Sequence, residues 1–230
     1  MTTRKEASSL TTAERNRYKN VIQQMLADPS NPYGKMVAIH GHMMHNMHGG
    51  MNAAGTQRFL TWHRDYLMKF EQALQQIDPA SFIPYWDWTK RRSLPTWMRT
   101  FKPTVFIPGR GTIIVKRNAS IPAKLNVNGI TSLTDFTNFT DELENGPHGT
   151  VHMQVGVVNG VREAMADIRV SPADPIFWMH HAQLDRLWSI WQVQNPGKNP
   201  TLTGVNAVMD PWPETATQLR SIAPLGYSYQ

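Results

Sequence analysis

The chain contains no cysteine, so no disulfide can staple it and no thiolate can hold a metal, a composition that fits a reducing compartment. It also lacks any apolar run near the roughly eighteen residues that a membrane helix needs. Its opening segment, MTTRKEASSL, carries charges but not the apolar stretch of a secretory signal, so a cytoplasmic location is expected, with helper-assisted export left open. Acid is missing over a long interval. Between Asp87 and Asp135 stand only basic charges: Lys90, Arg91, Arg92, Arg99, Lys102, Arg110, Lys116, Arg117 and Lys124. With a net charge of +6, such a stretch can meet anionic surfaces or nucleic acid. No nucleic-acid-binding signature accompanies it, so a solvated loop face is expected, with neither nucleic acid nor membrane as partner.

What the chain does have is histidine. With 230 residues and 40% hydrophobic content, it is expected to fold as one domain, residues 1–230, large enough to bury a core and a metal site. Nine histidines fall into two groups: His40, His42, His45, His48 and His63, then His148, His152, His180 and His181. His148 and His152 are four apart, which puts both rings on one helix face. In Phe59–Ile77 the apolar residues Leu60, Leu67, Phe70, Leu74 and Ile77 recur at helical spacing, and His63 lies on their stripe. An imidazole aimed into a core needs a partner or a metal. Imidazole suits copper, zinc, iron and nickel alike, so the pattern alone names no metal.

Thr11-Thr12-Ala13-Glu14 predicts a capping box opening a helix that closes at Asp28-Pro29. A second helix is expected from Pro32 through His40 to the break at Gly49-Gly50. A third runs from about 59 to 77. Residues 90–130 suggest short strands in an irregular excursion. A helix near 132–145, a separate short one bearing His148 and His152, and a last one over about 174–193 complete the chain. The fold class is mainly α, a four-helix bundle around a dinuclear metal site.

Phe59-Leu60-Thr61-Trp62-His63-Arg64-Asp65-Tyr66-Leu67, Pro84-Tyr85-Trp86-Asp87-Trp88-Thr89, Pro147-His148-Gly149-Thr150-Val151-His152, the run from Asp174 to Trp188 and a terminal Tyr227-Ser228-Tyr229 resemble, in family order, the tyrosinases. These belong to the type-3 copper family, with catechol oxidases and haemocyanins. The resemblance covers about residue 35 to 229. It implies two copper ions, each held by three histidines, a small phenolic substrate and O2. A copper-delivery helper protein is a partner it leaves open, and oligomeric state is not legible. Plant and fungal relatives carry a Cys–His thioether beside the first copper, which this chain cannot form.

By the resemblance His148, His152 and His181 hold one copper, with His180 beside them orienting a ligand or the substrate side. Phe177, His181, Leu184, Trp188 and Trp191 share a helix face, whereas His180 lies on a neighbouring one. His63 is a ligand of the other copper. The family places another ligand nine residues earlier, and here that position is Ala54. His48 is the preferred replacement and His40 the preferred helix-borne ligand; His45 stays open as rival for either place. His42 is expected to be exposed or to support a ligand from behind, and Met43, Met44, Met47 and Met51 to line a core. Asp185 is expected to take an imidazole N–H or, more ordinarily, to pair with an arginine. Glu144 matches a glutamate that in relatives holds a water and Gly149 stands where they place an asparagine. Ile168 falls at a gate position.

The activity implied is ortho-hydroxylation of monophenols and oxidation of o-diphenols to o-quinones, with catechol oxidase as the alternative, and the basic stretch leaves acidic phenols open. A haemocyanin-like oxygen binder would use the same ligands within a large shielded assembly. A dinuclear zinc hydrolase would carry carboxylate ligands, absent from these clusters.

Overall fold

The computed structural model describes all 230 residues. Its helices are α1 (Thr12–Ala27), α2 (Pro32–His40), α3 (Ala53–Ile77), the single turn α4 (Asn128–Thr131), α5 (Phe136–Leu143), α6 (Gly149–Gly156) and α7 (Ile176–Gln194). Three two-stranded ribbons accompany them: β1 (Thr2–Arg4) with β6 (Tyr227–Tyr229), β2 (Thr104–Ile107) with β3 (Gly111–Ile114), and β4 (Val157–Val158) with β5 (Val161–Arg162). The mainly α class with short strands in the 90–130 excursion is therefore what forms. No helix is long and apolar enough to cross a membrane.

Local chemistry sets the helix ends. Thr11 Oγ1 accepts the Glu14 N–H at 3.2 Å while Glu14 Oε2 accepts the Thr11 N–H at 2.8 Å, the reciprocal capping box read from sequence. Pro32 opens α2 where a missing N–H costs nothing. That helix stops at His40, not at Gly49-Gly50: Gly41 caps it, and a short 3-10 turn (Met43–His45) and a loop carry the chain to His48. Asn46 turns this loop in the left-handed region, φ 50°. Helix α3 starts at Ala53, earlier than the apolar stripe predicts, because Asn52 accepts the Gly55 N–H at 3.0 Å and caps a first turn that carries no large apolar residue.

Helices α5 and α6 are not separate. They are one continuous helical run joined by a π turn, Glu144–His148, with Pro147 inside it. A proline in an α-helix clashes with the carbonyl four residues back, and the wider turn accommodates it.

The core lies between α3, α7 and α5–α6, with α1 and α2 packed alongside. Trp62, Trp86, Trp88, Trp178, Trp188 and Trp191 are all fully buried. Phe70 and Trp178 stack with centroids 3.7 Å apart and tie α3 to α7. Burying such rings contributes roughly 25 cal/mol per Å² of apolar surface. The parallel pairing of Thr2 with Tyr227 and Arg4 with Tyr229 closes the chain ends onto this core.

Candidate metal centre

The helices converge on two histidine groups. His40 is the last residue of α2, His48 sits on the loop, and His63 lies on α3; their ligating nitrogens are all within 4.8 Å of one another. His148 ends the π turn, His152 is one turn along α6, and His180 and His181 lie on α7, again within 4.8 Å. The groups face each other, since the His63 and His181 rings stack at 4.4 Å.

Hydrogen bonding decides which nitrogen of each ring faces inward. Nδ1 of His40 donates to the Ile168 carbonyl (2.8 Å), that of His63 to Phe59 O (2.7 Å), that of His148 to Glu144 O (3.0 Å) and that of His152 to Met165 O (2.7 Å). A carbonyl only accepts, so these rings carry their proton on Nδ1. His48 Nδ1 lies 3.0 Å from a carboxylate oxygen of Glu144, with the same consequence. The Nε2 lone pairs are left for the centre. Nε2 of His40 and His63 are 3.4 Å apart and those of His152 and His181 3.2 Å, while Nε2 of His48 and His148 is buried without any partner. Buried nitrogens with converging lone pairs are what a metal ion satisfies.

His180 belongs to the cluster by proximity but not by chemistry. Its Nδ1 accepts the indole N–H of Trp88 at 3.0 Å, so in the neutral ring the proton sits on Nε2 and no lone pair is free. His181, packed under Phe177 at 4.0 Å, is the doublet member whose Nε2 faces that of His152, at 3.2 Å. Each site then presents three imidazoles and no carboxylate, which suits copper. Burial, followed by the neighbouring imidazoles, pushes the His63 and His181 pKa values well below the usual 6.5. Burial moves His152 down to about 4. The rings stay neutral, the form that binds metal.

The site opens to solvent through a cavity of about 160 Å³ lined by His40, His48, His148, His152, Gly149 and Ile168, among others. Ile168 is part-exposed at its mouth. A larger cleft, about 690 Å³, lies at the far end of α7 and has no histidine in its wall. Glu144 also braces the loop of the first group: its Oε1 accepts from His48 and from the Gly49 N–H, and its Oε2 also lies 3.0 Å from that N–H.

The other expectations sort by geometry. His45 is taken out of the first group by Asp210, 2.6 Å from its Nδ1, and stacks on Trp62. His42 is exposed. Of the four methionines nearby, Met47 is buried, but Met43 and Met44 are exposed, so they do not line a core. Asp185 pairs with Arg64 (2.5 Å) and accepts the hydroxyls of Tyr227 and Tyr229 at 2.6 Å each. Sequence reasoning missed Trp88 and Asp210. Trp88 stood within the Pro84–Thr89 motif without a role, and Asp210 had no local signal.

Paired triads of inward imidazole nitrogens, held between packed helices, define a dinuclear copper protein of type 3. A family model described as the common central domain of tyrosinase matches residues 30–125 and 102–194. The chain belongs to the tyrosinase family, and its cofactor is two copper ions. It is 27% identical to the tyrosinase of Streptomyces antibioticus, with 94% of each chain covered. It is 31% identical to hemocyanin 1 of Megathura crenulata, over 82% of this chain and 6% of that one. Among solved structures, a functional unit of Octopus hemocyanin matches with TM-score 0.81 at 23% identity, covering 100% of this chain and 68% of that one. A Burkholderia thailandensis tyrosinase matches with TM-score 0.76 at 18% identity, over 100% and 73%.

Proposed function

We propose that this chain is a tyrosinase, ortho-hydroxylating monophenols and oxidising o-diphenols to o-quinones with dioxygen, and that His40, His48 and His63 hold one copper and His148, His152 and His181 the other. The family's copper-dependent oxidoreductase chemistry is the ground for the reaction class. The observation that carries the reading is the mouth. A void of roughly 150 Å³ is enough to hold benzene, and the cavity of about 160 Å³ reaches four of these six histidines from solvent.

Bound copper supplies the binding of dioxygen and the transfer of electrons from the phenol ring. The chain does the rest. Five of the six rings are locked by their Nδ1 protons, so little reorganisation accompanies reaction. Phe177 on His181 and Phe59, 4.8 Å from His148, exclude water from the inner side. Gly149 leaves room beside His148, and Ile168 borders the entrance. The balance is one monophenol and one O2 giving one o-quinone and one water, or two o-diphenols and one O2 giving two o-quinones and two waters.

Oxygen uptake by the copper-loaded chain on a matched monophenol and catechol tests the reading. Turnover of both supports it. Turnover of catechol alone makes the chain a catechol oxidase, and reversible oxygen binding without turnover makes it a haemocyanin-like carrier.

A further inference from the structure

The ligand that departs from the family spacing is also the one whose Nδ1 is held by a side chain. His40, His63, His148 and His152 are fixed by main-chain carbonyls, which no side-chain substitution removes. His48 is fixed by a side chain, Glu144, reaching across from the helix that bears the other copper's ligands. His48 needs this because it sits on a loop, where no helix backbone sets its direction.

The loop is built around that contact. A Cβ on Gly49 would come within 2.6 Å of Thr56 Oγ1 and 3.0 Å of Glu144 Oε2, and one on Gly55 within 2.0 Å of the His48 carbonyl oxygen. Both glycines thus let the loop lie against the start of α3 and the carboxylate at once. Glu144 is 6% exposed, so its charge is little screened, and a carboxylate acceptor makes a stronger bond than a carbonyl. Through its carbonyl oxygen the same residue accepts from His148 Nδ1 at 3.0 Å. One residue therefore grips a ligand of each triad, the first by its side chain and the second by its main chain.

We propose that Glu144 is the positioning residue that makes the displaced ligand His48 competent, so that the first copper is held through its carboxylate and the second independently of it. The inference rests on the ligand assignment above. It parts from the reading in which this carboxylate holds a water for the substrate, because the two predict different copper contents.

The test uses the full chain reconstituted with copper, counting metal per chain and recording the electron paramagnetic resonance of the oxidised form. Two adjacent copper(II) ions couple and give little signal, whereas an isolated one is visible. Glu144→Ala should retain about one copper per chain and show the isolated signal. Glu144→Gln keeps an acceptor oxygen and should hold two coppers per chain, the first bound roughly 10–100-fold more weakly than in the unaltered chain. Glu144→Ala with two tightly held coppers and only phenol turnover reduced would overturn the proposal. So would loss of both coppers from a folded Glu144→Ala chain. If that variant does not fold, Glu144→Gln decides alone, and unaltered affinity for both coppers refutes the idea. An unaltered chain that holds two coppers but oxidises no phenol would sink the functional reading and leave this inference standing.

Discussion

Trp88 donates its indole N–H to His180 Nδ1 at 3.0 Å, a bond that leaves the His180 proton on Nε2 and so favours the selection of His181 as the ligand of the doublet. The His180 ring lies nearly parallel to that of His148, with centroids 5.6 Å apart, so it also backs the second triad. His181→Ala should lose one copper and nearly all oxidase activity. His180→Ala should keep both coppers with activity or affinity down roughly 10–100-fold. Trp88→Phe should resemble His180→Ala in kind, since it frees Nδ1 to take the proton. Copper counts on the three variants check this, and reversed behaviour of the two histidines would refute the selection.

His45 and His48 are three residues apart and have different fates. His48→Ala should empty the first site, leaving about one copper per chain. His45→Ala should keep two, because its Nδ1 faces Asp210 rather than the centre. The loss there is structural and small, about 1 kcal/mol, since Asp210 keeps its bond from Arg58 at 2.7 Å. Metal analysis together with thermal unfolding separates the two effects.

The parts of this site legible in the sequence were those governed by local spacing. The His148–His152 pair, the capped α1 and the apolar stripe around His63 follow from helical periodicity and short-range capping, and the structure carries them. The π turn did not show, because Pro147 reads as a break unless a wider turn absorbs it. Nor did the partners of His45 and His48. Asp210 lies 165 residues beyond His45 and Glu144 96 beyond His48, and a hydrogen bond across such distances leaves no periodic mark. The candidates within 40–48 were visible as candidates; only the loop's path from His40 to Gly55 ordered them.

Asp185 makes acid sensitivity predictable. Burial raises its pKa, but Arg64 and then Arg4, with the hydroxyls of Tyr227 and Tyr229, overcome this and hold it below the usual carboxylate range. A carboxyl depressed in the folded state contributes stability above its unfolded pKa, and that contribution is lost as pH falls through the folded value. The chain should therefore lose stability below about pH 4. Asp185→Asn should flatten this part of the profile while costing roughly 3–5 kcal/mol at neutral pH, because buried Arg64 loses its counter-charge while Arg4 keeps Glu71 at 3.0 Å. Unfolding midpoints at neutral and acid pH for both chains check it, and parallel profiles would assign the acid step to another group.

Gly149 offers the cleanest route to changing the balance of phenol and catechol oxidation. It follows His148 and lines the cavity, and a Cβ placed there would meet only the Glu144 carbonyl oxygen at 3.6 Å, an ordinary contact. A water that takes the phenol proton needs a base behind it, a role the lone pairs left on the Glu144 carboxylate beside His48 and Gly49 can fill, but no side chain at position 149 offers an acceptor that would orient that water. Gly149→Asn would supply one. General-base help of this kind is worth about 10²–10⁴-fold when fully aligned, and a side chain added to an existing cavity should realise the lower part of that range. A catechol, with its more acidic and chelating hydroxyls, depends on such help less, so the monophenol-to-catechol ratio should rise at an unchanged copper content. Ile168→Phe serves as the contrast. A bulkier ring at the mouth should raise KM for both substrates together and leave the ratio alone. Steady-state rates on one matched pair decide it, and a Gly149→Asn chain with the parent ratio would place the control of hydroxylation outside this position.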